Sequence, residues 1–133
     1  MSESDIRSKF IAMIPELDPR PIENLIATEK GMPDVEYVGG WCEIKWKRDW
    51  PARWGTPLRL AHYTKEQRDF LLKRSAAGEP CWLLLVVGKE WFFFNADDAQ
   101  EVGHLCHEDL IDTATHYFGN KPTPAEVLRI LTS

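Results

Sequence analysis

Asp34, Glu36, Glu43 and Lys45 fall within a dozen positions of one another, three carboxylates and one ammonium in a short stretch of chain. Carboxylates brought together repel, and one takes up a proton unless a cation sits among them. Oxygen ligands of this kind suit a hard ion such as magnesium rather than zinc. An ion so held polarises a phosphoryl oxygen and lowers the pKa of a bound water. A lysine beside it can orient that water or offset charge on a pentavalent phosphorus. In kind, the set suffices for phosphodiester hydrolysis, provided the backbone gathers it.

Gly39-Gly40, between the strand-like runs Val35 to Val38 and Trp41 to Trp46, is a hairpin signal. With both glycines in a two-residue turn, Val38 pairs with Trp41 and Tyr37 with Cys42. Asp34 then stands opposite Lys45, and Glu36 opposite Glu43. Opposed residues share a face, and faces alternate along a strand. Asp34, Glu36, Glu43 and Lys45 therefore occupy one side. Val35, Tyr37, Cys42, Ile44 and Trp46 occupy the other, which is apolar and belongs to the core. Diagonal neighbours such as Asp34 and Glu43 are roughly 7–8 Å apart between backbones. The same pattern also describes a solvent-facing hairpin side carrying ordinary Glu–Lys cross-strand pairs.

The flanking chain supplies a scaffold. Ser2 to Ile14 has Ile6, Phe10, Ile11 and Ile14 at helical spacing. Pro15, Pro19 and Pro21 end that helix and begin an extended segment, Ile22 to Thr28. After the hairpin comes a long basic loop, then a helix from Thr64 to about Ala77 stopped by Gly78. Cys81 to Val87 is the apolar run of a strand buried on both faces, and Gly88-Lys89 turns it into a partner strand, Glu90 to Phe94. Trp82, Trp91, Phe92, Phe93 and Phe94 read as sheet core. Two tail helices are expected, His107 to Phe118 and Pro124 to Leu131, the second with Thr123 and Glu126 in capping-box spacing. The order implies one α/β (α+β) domain over residues 1–133 with a mixed central sheet flanked by helices, its core about 20–94 and a helical tail about 104–133.

Composition narrows the partners. The chain has 133 residues, 44% of them hydrophobic, and a net charge of −5. Residues 45–74 nevertheless hold nine Lys or Arg against three acids; of the totals of 16 and 21, the remainder holds seven cations and 18 anions. Phosphate binding follows local potential, so this basic stripe suits DNA despite the acidic whole, although it also describes a plain solvated surface. No apolar run is long enough for a membrane span, and the N-terminus lacks a secretory pattern. Cys42, Cys81 and Cys106 are odd in number and widely spaced, against a disulfide framework. A reducing cytoplasm is expected.

The string GMPDVEYVGGWCEIKW resembles the PD-(D/E)XK nuclease signature, with Pro33-Asp34, a short hairpin, then Glu43-Ile44-Lys45. With HYTKEQRDFLLKRSAAGEPCWLLLVVGKEWFFF, the likeness extends over about residues 20–94. It looks like small phage-encoded nucleases related to the VRR-NUC and Holliday-junction-resolvase-like groups. The resemblance implies a restriction-endonuclease-like core and a Mg2+-dependent DNA endonuclease, with Mn2+ able to substitute. It implies Asp34, Glu43 and the Ile44 carbonyl as metal ligands and Lys45 as the catalytic cation, with a cytoplasmic location in the host cell for a phage-encoded chain. Relatives add an acid from the first helix, for which Glu3 is the match and Glu23 the competitor. They also place a glutamine on the helix after the lysine strand, here Gln67. Gln67 shares a stripe with Phe70, Leu71 and Arg74, facing the sheet, yet it also stands where a capping box with Thr64 would use it. Resolvase-like relatives act as dimers, so a homodimer is among the expected assemblies.

Lys47, Arg48, Arg53, Arg59 and His62 follow the catalytic strand in a loop studded with Trp50, Trp54 and Tyr63. Cations there contact phosphate, and an exposed aromatic can stack on bases; Trp46 is expected in the core. His104, Cys106 and His107 form HLCH, but only His116 remains as a fourth ligand, which argues against structural zinc. Two rival readings stay open: a non-catalytic DNA-binding module, and an acidic surface that docks a basic protein.

Overall fold

The computed structural model describes residues 1–22 and 30–133. Its centre is a six-stranded mixed sheet in sequential order: β1 (Arg20–Pro21), β2 (Val35–Tyr37), β3 (Gly40–Lys47), β4 (Cys81–Val87), β5 (Glu90–Asn95) and β6 (His116–Phe118). All neighbours are antiparallel except β3 and β4, whose parallel pairing requires a crossover. Helix α2 (Lys65–Ala76) lies in that crossover. The expected α+β class with a mixed sheet between helices is what the chain adopts.

Alternation along the strands builds two apolar layers. Val35, Tyr37, Cys42, Ile44, Leu84, Val86 and Phe93 point one way, against Ile6, Phe10 and Met13 of α1 (Glu3–Met13) and Val127, Ile130 and Leu131 of α4 (Pro124–Thr132). Trp41, Leu83, Leu85, Phe92 and Phe94 point the other way, against Phe70 and Leu71 of α2 and Leu110 of α3 (His107–Thr113). β4 is buried at all seven positions, as an apolar run without alternation demands of a central strand.

Local signals fix the helix starts. Ser2 caps α1, its hydroxyl accepting from the Asp5 N–H at 3.3 Å. Both α2 and α4 begin with complete capping boxes, Thr64 with Gln67 and Thr123 with Glu126.

Two expectations fail. The helix foreseen over His107 to Phe118 stops at Thr113, and His116–Phe118 pairs with β5 as an edge strand. The hairpin turn is Val38-Gly39, with Tyr37 paired to Gly40, Glu36 to Trp41 and Val35 to Cys42. Only Gly39 takes positive φ, +103°. Gly40 is instead pinned inside the sheet, where any Cβ would collide with the Pro80 carbonyl and the Tyr37 ring. The slip is two residues, so every side chain keeps its expected face. From residue 23 onward, the extended segment expected to Thr28, Glu23 included, lies outside the described residues. No helix among the described residues is long and apolar enough to cross a membrane.

Candidate active site

Asp34 immediately precedes β2, where the observed register, continued one step, places it opposite Glu43 rather than Lys45. Its backbone carbonyl accepts from the Ile22 N–H at 2.9 Å. Its side-chain Oδ2 accepts from the Ile44 N–H at 2.8 Å. β2 is too short to satisfy that donor with backbone, so the carboxylate takes the place of a ladder partner and is fixed beside β3. The N–H and C=O of one strand residue address the same neighbour, so the Ile44 carbonyl also faces the Asp34 side.

Glu43 and Lys45 sit in the middle of β3 on the α2 face, 2% and 5% exposed, among otherwise apolar neighbours. A solvent-facing hairpin side is thereby excluded for these two. Lys45 Nζ lies 3.2 Å from Glu43 Oε2 and donates to the His62 carbonyl at 3.0 Å. Gln67 Nε2 donates to the same Glu43 oxygen at 3.2 Å. The other end of that amide works too, since Gln67 Oε1 accepts from the Thr64 N–H at 2.9 Å. Helix cap and site contact, rivals in the sequence, are made by one side chain at once.

Glu43 Oε1 is buried and has no hydrogen-bond partner among the described residues. Desolvation first, then the negative charge of Asp34, push the Glu43 carboxyl well above the usual range, with Lys45 opposing them incompletely. Glu3, exposed on the first turn of α1, feels the charges of Lys45, Asp34 and His62. Partial desolvation and Asp34 raise its carboxyl, while Lys45 and His62 pull it down. Glu36 does not join them: it pairs with Trp41 and is exposed.

The donors that converge are all oxygen: the Asp34 and Glu43 carboxylates, with the Ile44 carbonyl beside them. A carboxylate oxygen without a partner, held next to a second carboxylate, fits a hard divalent cation. Among the described residues, no group of three or more His, Cys, Asp or Glu side chains is arranged to hold a metal. Any ion here would complete its shell with backbone, water or substrate oxygen.

No known protein family matches the chain's sequence, and no curated protein matches it. Among solved structures, a Holliday junction resolvase, Hjc, from the archaeal hyperthermophile Archaeoglobus fulgidus is similar at 16% sequence identity and a TM-score of 0.49, over 93% of this chain and 98% of that one. At that level, the likeness assigns neither family nor activity.

The loop after β3 carries its cations outward. Arg48, Arg53, Arg59 and His62 are exposed and Lys47 is half-buried. Lys45 is anchored to this loop through the His62 backbone, so the loop's root and the site move together. On its other side the site is latched to α2. Gly31, at φ +87°, lies so close that an added Cβ would stand 2.5 Å from the Glu66 carbonyl oxygen, and Lys30 bridges Glu66 at 3.2 Å.

A second polar cluster was not anticipated. Glu90, on β5, accepts from Trp50 Nε1, from the Tyr117 hydroxyl at 2.7 Å, and pairs with His107 Nε2 at 2.8 Å. Desolvation is the largest single influence on this carboxyl and raises it, but the three hydrogen bonds together outweigh it and hold Glu90 below the usual range. The bond to Glu90 pushes the Tyr117 hydroxyl up to about 12. The Trp50 and His107 rings stack at 3.7 Å and 14°. These residues are separated by up to 67 positions, and no local pattern joins them.

Proposed function

We propose that this chain is a metal-dependent DNA endonuclease of the PD-(D/E)XK type, hydrolysing phosphodiester bonds with Asp34, Glu43 and Lys45. The observation that carries the reading is the buried Glu43 carboxylate. One of its oxygens is held by Lys45 and Gln67, the other is left open beside Asp34. A charge buried this way is costly unless a cation completes it, and a purely structural position would be filled better by an apolar residue.

Asp34, Glu43 and the Ile44 carbonyl would hold a magnesium ion, and manganese would substitute in such an all-oxygen set. Bound there, the ion supplies Lewis acidity toward a phosphoryl oxygen and lowers the pKa of water at the site. The chain's own groups do the rest. Asp34 is oriented by the Ile44 N–H, and Glu43 is aimed by Gln67 and Lys45. The Lys45 ammonium, held by the His62 carbonyl, would orient the attacking water and offset the charge that builds on phosphorus. Glu3 adds negative charge at the rim. Lys47, Arg48, Arg53, Arg59 and His62 would track the DNA backbone on either side of the scissile bond.

The test is cleavage of nicked, branched and linear duplex DNA with magnesium or with EDTA. Lys45→Ala and Asp34→Ala should each cut roughly 10²–10³-fold more slowly. Wild-type rates in either variant reject the assignment. The exposed cations would equally serve a module that only binds DNA. That module would show salt-sensitive binding without magnesium-dependent turnover.

A further inference from the structure

Building on the nuclease reading, we propose that the exposed indole of Trp54, with Arg53 beside it, is a stacking site for an unpaired base of the DNA substrate. DNA carrying a single-stranded extension is then the preferred class over continuous duplex. Trp54 is 75% exposed, an unusual state for the largest side chain in a fold that buries most of its aromatics. It is nevertheless held from behind. Its ring leans on His107 at 5.8 Å, and His107 is stacked on Trp50, which meets Phe92 of the core edge-on at 5.8 Å. Glu90 locks both Trp50 and His107 by hydrogen bonds. Trp54 thus ends a chain of ring contacts rooted in the sheet, meeting His107 at a tilt of 56° with most of its own surface open to solvent.

A groove of about 220 Å³ opens beside it, lined by Trp50, Pro51, Arg53, Trp54, Thr56 and His107. Its lining is aromatic with one guanidinium, which matches a base with its attached phosphate: an aromatic surface stacks any base, and arginine pairs with the backbone. A purely apolar partner would leave Arg53 without a counter-charge. Position supports the same occupant. Lys45, Leu85 and Phe92 are in register across three adjacent strands. With strands about 4.8 Å apart, the root of these ring contacts is about 10 Å from the Lys45 backbone, some three nucleotides of B-form rise. Both features lie on the α2 face of the sheet. Trp54 lies beyond that root, linked to it through Trp50 and His107, so a strand engaged at Lys45 would meet the indole more than about three nucleotides along.

Binding of the full chain is measured in EDTA, so that no cutting intervenes, to three labelled DNAs. These are a blunt duplex, the same duplex with a short single-stranded extension, and that extension with abasic sites. Trp54→Ala should bind the extended duplex about tenfold more weakly and the blunt duplex unchanged. Trp54→Phe should retain most of the affinity, and the abasic extension should bind like the blunt end. The proposal is overturned if Trp54→Ala binds the extended duplex as wild type does, which would leave the indole to a protein partner. An abasic extension bound as tightly as the normal one overturns it equally. Magnesium-dependent cutting of the blunt, extended, nicked and branched DNAs by wild type and Lys45→Ala, run alongside, reports the nuclease reading separately. Cutting that depends on Lys45 with no effect at Trp54 sinks the stacking site alone; a Trp54 effect without cutting sinks the catalytic reading alone.

Discussion

Glu43 and Glu90 are carboxylates on the same face of the same sheet, and they are treated in opposite ways. Glu90 receives three partners, and its carboxyl is held below the ordinary range. Glu43 is more deeply buried, has an oxygen without a partner among the described residues, faces a second carboxylate, and is pushed well above that range. A carboxylate with both oxygens answered stabilises a structure; one left short stores free energy that an incoming cation can release. Under the proposed function, that difference is the one expected between a structural acid and a metal-binding one.

The sharpest way to break the contrast is to neutralise each acid in turn. Glu43→Gln should cut DNA roughly 10²–10³-fold more slowly, with its melting temperature held or raised because a strained charge is gone. Magnesium should stabilise the wild type by about 2.7 kcal/mol at a hundred times its dissociation constant. Calorimetry should find that gain lost in Glu43→Gln and kept in Glu90→Gln. Equal protection of Glu43→Gln by magnesium would dissolve the distinction.

Glu90→Gln should behave conversely, losing about 2 kcal/mol of stability at neutral pH by urea unfolding. Its pH dependence carries a sign. A carboxyl held below its unfolded value of 4.5 binds fewer protons in the folded chain. Its contribution is therefore present above pH 4.5 and is lost as pH falls through the folded value. Wild-type and Glu90→Gln stabilities should converge in acid, and parallel curves down to pH 3 would refute the assignment.

The smallest effects sharpen the functional side. Thr64→Ala and Gln67→Ala should each cost about 1 kcal/mol by undoing the cap of α2. Only Gln67→Ala also releases Glu43, and its cleavage should fall by about tenfold where that of Thr64→Ala does not. Matched activities would leave Gln67 as a helix cap and nothing more.

The same carboxylates show what a single sequence can carry. Glu43 and Lys45 were legible because strand periodicity survives an error of two residues in register. The turn was misplaced, Asp34 was set against Lys45, and Glu36 was drawn into the cluster, yet all side chains stayed on their proper faces. What decides between Gly39 and Gly40 is the approach of Pro80, forty positions away, which no local pattern contains. The strand at His116–Phe118 was read as helix for a like reason: three residues carry little periodicity, and their state is set by β5. Glu90 was read only as a strand start, since Trp50, His107 and Tyr117 reach it from three distant segments. His107, noticed for a metal motif it does not complete, stacks on Trp50 and pairs with Glu90.

Gly31 has a further implication. The segment leading to Asp34 touches the first turn of α2 with no space for even one carbon between them, and the same turn presents Gln67 to Glu43. The two approaches to the acid pair are therefore a single mechanical part. A methyl group at position 31 would act as a wedge, lifting the helix and opening the pair from a residue that has no side chain of its own.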